Sequence, residues 1–406
     1  MIQVLASGKL PVMTRRNLTF PALLISLLLA GCAAVPAPTA CPPCPGVEAP
    51  KPAAKPLQPA NWADLPGWEN DDHATALELF KAQCTTLGKR PLWLATCESA
   101  LKVGAGETAP GGVTDWFETN FRPWQLVNPD GNREGLVTGY YEPVVRGSRT
   151  QKPPYLTPVF GPPDDLIVVD LAELYPELKH LRLRGRLIET DRGRKLIPYF
   201  SRADWANEEP RRVDKALLWL DDPVAFFFLQ IQGSGQVVLD DGSRTRIGYA
   251  DQNGHPYRSI GTWLIERGEL KSHEASMQGI KAWAEKNPQR LQELLNANPS
   301  LVFFRELKVE GSGPPGALGL PLTPERSIAV DPRHTPLGAP VWLATTRTNS
   351  EQALTRLMLA QDTGGAIRGP VRADFYWGSG PEAGSLAGRM KQPGRMWVLL
   401  PHWHQP

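Results

Sequence analysis

The sequence predicts a mainly β protein, built as barrels with a few helices, and three observations predict it. Short apolar runs recur between turn formers, at 340–346, 356–361, 372–377 and 395–400. The stretch Gln236-Val-Val-Leu-Asp-Asp241-Gly242-Ser-Arg-Thr-Arg-Ile247 reads as a hairpin closed by an Asp-Gly turn. Helical apolar stripes are confined to two regions, about 72–87 and 259–296. Many short strands with few helices fit barrels, which leave few unpaired edges. With 406 residues, 41% of them hydrophobic, the chain can bury a large core and reads as two domains.

The N-terminus reads as a targeting segment, residues 1–31, rather than as part of the fold. Arg15 and Arg16 form a positive start, and Pro21 to Ala30 give an apolar run too short to span a bilayer. It ends Leu29-Ala30-Gly31-Cys32, which resembles the lipobox of bacterial lipoproteins and makes Cys32 the expected site of lipid attachment. Ala33, where aspartate would retain a lipoprotein, points to the periplasmic face of the outer membrane. Met13 is a more natural start than Met1.

Residues 33–60 are rich in proline and alanine and read as an extended spacer, with a reach of about 80 Å. The formal charge of +2 includes Lys9, Arg15 and Arg16 of the leader. Without residues 1–31, 41 basic residues face 42 acidic ones, which argues against nucleic acid as partner. Cys41 and Cys44 lie in the spacer, away from any strand–helix context for redox chemistry, with no second pair for zinc. No metal or other cofactor is expected. Cys84 and Cys97 share one helical neighbourhood and are candidates for a disulfide, which spacing alone does not decide.

Asp72 is placed to cap a helix with Leu77, Phe80, Cys84 and Leu87 on one face. A second helical region over 259–296 breaks at Asn287-Pro288 and carries Met277, Ile280 and Trp283 as its inner stripe. Downstream come three aspartates in one short region. Asp331 lies in Val330-Asp331-Pro-Arg-His-Thr-Pro-Leu-Gly338, Asp362 follows Leu357-Met-Leu-Ala, and Asp374 precedes Phe375-Tyr-Trp. Apolar neighbours put Asp362 and Asp374 at strand ends, where an aromatic wall raises a carboxyl toward the range of a general acid. Each alone is also a common turn former.

The three aspartates resemble the three-aspartate domain of the membrane-bound lytic murein transglycosylase A family. Upstream matches follow in the family's order: Gly135-Leu-Val-Thr-Gly-Tyr140-Tyr141-Glu142-Pro143, Phe226-Phe-Phe-Leu-Gln230-Ile-Gln232-Gly-Ser234-Gly235, Tyr249 to Gly261 and Val302-Phe-Phe-Arg305. The resemblance covers about residues 110–400. It implies a double-psi β-barrel containing the three-aspartate region (about 325–400), with a second β domain inserted. From the chain, the barrel is expected over 61–144 and 231–406 and the insertion over 145–230.

The resemblance also implies cleavage of the MurNAc–GlcNAc β-1,4 bond of peptidoglycan without water, leaving a 1,6-anhydro ring. One carboxyl suffices for this, because the sugar's own C6 hydroxyl replaces the second group of an ordinary glycosidase. Asp374 matches the family's catalytic aspartate, with Asp362 as its helper and Asp331 as a supporting turn residue. The reverse assignment of Asp362 and Asp374 stays open. Tyr140, Tyr141, Glu142, Gln230, Gln232, Ser234, Tyr257 and Trp377 are candidates to bind the glycan, with Gln230 and Gln232 read as alternate residues on one strand face. Peptidoglycan strands, the outer membrane and other wall-remodelling proteins are the expected partners. Two other classes compete: a two-carboxylate glycosidase that uses water, and a non-catalytic wall-binding lipoprotein. His402 and His404 read as solvated at the chain's end.

Overall fold

The computed structural model describes residues 53–104, 112–178, 181–308, 311, 313–348 and 350–406. The leader 1–31, Cys32, Cys41 and Cys44 lie outside the described residues.

The described chain opens with β1 (Leu57–Pro59) and three helices, α1 (His73–Leu87), α2 (Leu94–Lys102) and α3 (Gly112–Asn120). Strands β2 (Phe121–Leu126), β3 (Gly135–Glu142), β4 (Val144–Ser148) and β5 (Thr157–Phe160) follow. An excursion forms β6 (Ile167–Val168), β7 (Arg184–Thr190) and β8 (Gly193–Pro198). Next come α4 (Arg202–Glu208), β9 (Ala216–Leu220), α5 (Pro223–Gln232), β10 (Ser234–Leu239) and β11 (Arg244–Gln252). Helices α6 (Ile260–Glu266), α7 (Met277–Lys286) and α8 (Leu291–Asn296) lead to β12 (Val302–Leu307). The chain ends with β13 (Ser327–Val330), β14 (Pro340–Thr346), β15 (Ala353–Asp362), β16 (Arg372–Ser379), α9 (Gly380–Ala387) and β17 (Lys391–Pro401).

The largest sheet has eight strands in the order β1-β2-β17-β14-β15-β13-β16-β3. Strand β17 also pairs with β3, so β3, β17, β14, β15, β13 and β16 pair in a ring. Its interior is apolar on nearly every strand, with Val341, Leu357, Phe375 and Val398 buried. Helix α1 packs against this core. Asp72 caps it by accepting the Thr75 N–H, and its face of Leu77, Phe80, Cys84 and Leu87 is buried, as the sequence predicts. Cys84 and Cys97 form a disulfide that ties α1 to α2.

Six strands, β12-β11-β10-β4-β9-β5, form a second sheet. The predicted hairpin is β10–β11, with Gly242 in the left-handed conformation its turn demands (φ +84°). This sheet draws strands from 144–307, on both sides of residue 230. Strand β10 is parallel to β4, a long-range pairing that no local pattern announces.

Two elements differ from expectation. The end of the spacer is not free, because Leu57–Pro59 pairs with β2 (Leu57 opposite Leu126) as an edge strand, where a proline is tolerated. The run ending at Gln232 is helix α5, not a strand. Asp222 accepts the N–H groups of Val224 and Ala225, Pro223 opens the helix, and Gly233 (φ +81°) stops it. Gln230 and Gln232, two residues apart on a helix, therefore do not share a face.

Candidate active site

The ring of strands brings Asp362 and Asp374 together. Ala329 on β13 is the register partner of Asp362 on β15 and of Asp374 on β16. Neighbouring strands lie about 4.8 Å apart, so the two aspartate backbones flank Ala329 at a separation of about 10 Å. Asp362 closes β15, and Asp374 is the third residue of β16 rather than its end. On the far side of β16, β3 runs parallel, with Thr138 opposite Asp374 and Tyr140 opposite Tyr376.

The two carboxyls have different partners. Both oxygens of Asp362 accept: Oδ1 takes the N–H groups of Ala317 and Thr363, each at 2.9 Å, and Oδ2 takes the Tyr140 hydroxyl at 3.2 Å. Asp374 Oδ1 accepts the Thr138 hydroxyl at 2.5 Å, while among the described residues Oδ2 accepts nothing. Behind Thr138, Arg372 Nη2 donates to Thr138 Oγ1 at 2.9 Å. Burial pushes both carboxyls above the usual range. For Asp374 the Thr138 hydrogen bond and the Arg372 charge oppose that rise without cancelling it. Tyr140 feels both aspartates, and its phenol is held well above its ordinary value, chiefly by burial.

Asp331 is a different kind of aspartate. It is 1% exposed and takes a two-pronged bond from Arg333, with Nη2 at 2.5 Å from Oδ2 and Nε at 2.9 Å from Oδ1. The Gly369 N–H adds a third contact at 2.8 Å. These donors, Arg333 first, hold its carboxyl far below the usual range, so it keeps no proton to give. It ties the turn after β13 to the loop before β16.

Three of the predicted glycan contacts are internal. Glu142 is fully buried, paired with Arg246 at 2.7 Å and accepting from Gln236 Nε2 and the Ser379 hydroxyl. It joins the two sheets and is out of a ligand's reach. Tyr141 is buried with its hydroxyl on Met277 Sδ, and Trp377 is buried with its Nε1 on Met390 Sδ. Both fall on the opposite strand face from Tyr140 and Tyr376. Beside them, a Cβ on Gly139 would lie 2.7 Å from Trp377 Nε1 and 2.8 Å from Ala387 Cα, so only glycine lets β3 approach α9.

The remaining candidates are dispersed. Gln232 spends its Oε1 on the Tyr141 N–H, which anchors α5 to β3 next to Tyr140. Gln230 is buried against Arg202 in the second sheet's helices. Ser234 opens β10 opposite Gly248. Tyr257 is 53% exposed and neighbours Arg202 rather than either aspartate. Gly364 lies against Ile367, whereas Gly365 faces open space. Thr138 and Arg372 are neighbours of Asp374 that the sequence reading passed over. The signal was present in alternation, since Arg372, Asp374 and Tyr376 share one strand face, as do Thr138 and Tyr140.

Residues 136–305 match the family described as MltA specific insert domain, and residues 326–400 match the 3D domain. Membrane-bound lytic murein transglycosylase A of Escherichia coli (strain K12) is 35% identical over 300 residues, 72% of each chain. A crystal structure of MltA from Neisseria gonorrhoeae superposes with a TM-score of 0.74 at 38% identity, over 86% of this chain and 94% of that one. Escherichia coli MltA with bound chitohexaose gives a TM-score of 0.64 at 27% identity, over 86% of this chain and 96% of that one.

Proposed function

This chain belongs to the membrane-bound lytic murein transglycosylase A family, and on that footing we propose that Asp374 serves as its single acid and base. The activity is that of a peptidoglycan lytic transglycosylase, an enzyme of the lyase class. Its substrate is the glycan strand, in keeping with the chitohexaose-bound relative.

Asp374, favoured in its protonated form by burial, gives that proton to the leaving O4 as the bond from C1 breaks. The C6 hydroxyl of the same muramic acid closes on C1, and the Asp374 carboxylate takes the hydroxyl proton. The acid is thereby restored, and the ring closes without water. Tethering the nucleophile to its target can supply up to about 7–11 kcal/mol of the barrier. The observation that carries this assignment is the unused Oδ2 of Asp374, against an Asp362 both of whose oxygens already accept hydrogen bonds. Asp362 then holds Tyr140 and the Ala317 backbone in place, and Asp331 holds the turn.

The two-carboxylate alternative draws on the proximity of Asp362 and Asp374 across β13. Digestion of sacculi in oxygen-18 water separates the two: the lytic route leaves 1,6-anhydromuramyl ends free of label, and hydrolysis puts label at C1.

Relatives are named membrane-bound, and membrane association is the coarse expectation for this chain. We place the anchor at a lipidated Cys32, on the periplasmic face of the outer membrane, from the Leu29-Ala30-Gly31-Cys32 sequence. Among the described residues no helix is long and apolar enough to cross a membrane. The inserted domain, read from the chain as 145–230, is extended to the whole segment that carries the six-stranded sheet, 144–307, and other wall-remodelling proteins are read as partners.

A further inference from the structure

A cavity of about 250 Å³ opens away from the aspartates, between α4, α5, α8 and the β5 and β12 strands. Its walls are apolar and aromatic, with Phe160, Trp205, Phe226, Phe227 and Leu301 among them. Thr157, Glu209 and Gln292 also line it, the Glu209 carboxyl raised by burial, and the two polar groups buried at its floor are Arg202 and Gln230. Arg202 is 8% exposed, and its Nε and Nη2 are spent on the carbonyls of Asn298 and Ser300 and on Gln230 Oε1. Among the described residues its Nη1 makes no hydrogen bond, and no carboxylate pairs with it. Gln230, 6% exposed, accepts from Arg202 and from the Val302 N–H through Oε1, which fixes the amide's orientation and leaves Nε2 without a partner.

A buried cation without a counter-charge and a buried amide donor without an acceptor both oppose folding unless something supplies the missing partner. Burial accordingly pulls the Arg202 guanidinium down to about 10. Arg202 also stacks its guanidinium over the Phe227 ring, 4.9 Å from the centroid, and among the described residues its Nη1 and Gln230 Nε2 still find no acceptor. What the pair lacks is an acceptor, anionic for Arg202 and neutral for Gln230, presented by something with a small apolar body. A peptide terminus has that form: a carboxylate, an amide carbonyl one residue back, and methyl side chains for the aromatic walls.

We propose that the cavity floored by Arg202 and Gln230 binds the C-terminal carboxylate of a short peptide with small apolar side chains. Choosing a peptide over other acids rests on the peptidoglycan reading, since that polymer carries alanine-rich peptides on its muramic acids. The carboxylate and carbonyl requirements rest on the cavity alone. Arg202 and Gln230 are thus a second recognition site, apart from the glycan-cleaving carboxyl, that reads the peptide carried by the wall.

The probes are N-acetyl-D-alanyl-D-alanine and its C-terminal amide, titrated calorimetrically against the mature enzyme. The acid is expected to bind saturably, with the amide about ten- to a hundredfold weaker because it forfeits the charged contact. Arg202→Gln should weaken the acid to the level of the amide. That variant also loosens the 298–300 carbonyls, so Ala206→Phe, which blocks the cavity and leaves Arg202 untouched, is the second variant and should abolish binding. No binding by either probe, equal binding of acid and amide, or unchanged binding by Ala206→Phe overturns the proposal. Sacculus cleavage is measured on the same preparations. Cleavage without peptide binding removes this site alone, and peptide binding without cleavage removes the catalytic reading alone.

Discussion

Asp362 and Asp374 flank a single residue, Ala329, the first in parallel and the second in antiparallel register with β13. Strand pairing rather than a loop therefore sets the spacing of the two carboxyls, and rigid elements hold a site more closely than loops do. On the proposed assignment, their unlike hydrogen bonding divides the roles. An oxygen with no donor is available to a glycosidic oxygen, and one already holding two N–H groups is not.

Thr138 should tune the acid. Thr138→Val removes the hydroxyl from Asp374 Oδ1, a bond that lowers the Asp374 pKa against its burial. The pKa should rise further, so the alkaline limb of the kcat/KM profile moves to higher pH. Loss of orientation should cost about tenfold in rate, the equivalent of about 1.4 kcal/mol. Thr138→Ser should restore both readouts; a Val variant with an unmoved pH limb would separate Thr138 from the acid.

Asp331→Asn tests a structural aspartate. Its folded pKa lies below the unfolded value, so its contribution is present above the ordinary carboxylate range and lost as pH falls through the folded pKa. The variant should lose about 1–3 kcal/mol at neutral pH, and the deficit should shrink on acidification. Urea melts at several pH values measure this, and a deficit independent of pH would contradict it.

The Cys84–Cys97 disulfide closes a short loop between α1 and α2, which are packed on the main core. Replacing both cysteines with alanine should cost about 2–4 kcal/mol and lower Tm. Reductant should lower the wild-type Tm and leave the double variant unchanged.

Cys32→Ser should release the enzyme from the outer-membrane fraction as a soluble or unprocessed form. Full retention in that fraction would sink the lipid-anchor reading.

Much of the C-terminal fold was legible because β14 to β17 are apolar runs bounded by turns, and α1 because Asp72 announces its cap. Helix α5 was not, since Phe226-Phe-Phe-Leu is apolar on every side and periodicity cannot tell a buried helix from a buried strand. The caps at Asp222-Pro223 and Gly233 were the usable signal. Asp362 and Asp374 were read from their apolar surroundings. Which aromatics faced them depended on strand parity, and Tyr141 and Trp377 are each one residue out of phase with the site. Glu142 was beyond reach of the sequence because its partner Arg246 is 104 residues away.

On the proposed reading one carboxyl, Asp374, carries the proton in both half-steps. Turnover of purified sacculi to 1,6-anhydromuropeptides, compared between Asp374→Asn and Asp362→Asn, tests it most directly. Asp374→Asn keeps the side chain's shape but has no proton to give, so release should fall by about 10⁴-fold or more, the upper end for a general acid-base. Glycan binding should survive, and Asp362→Asn should lose less, because it retains an oxygen for Ala317 and Thr363. Near-native release by Asp374→Asn beside an inactive Asp362→Asn would contradict the account and reverse the two roles.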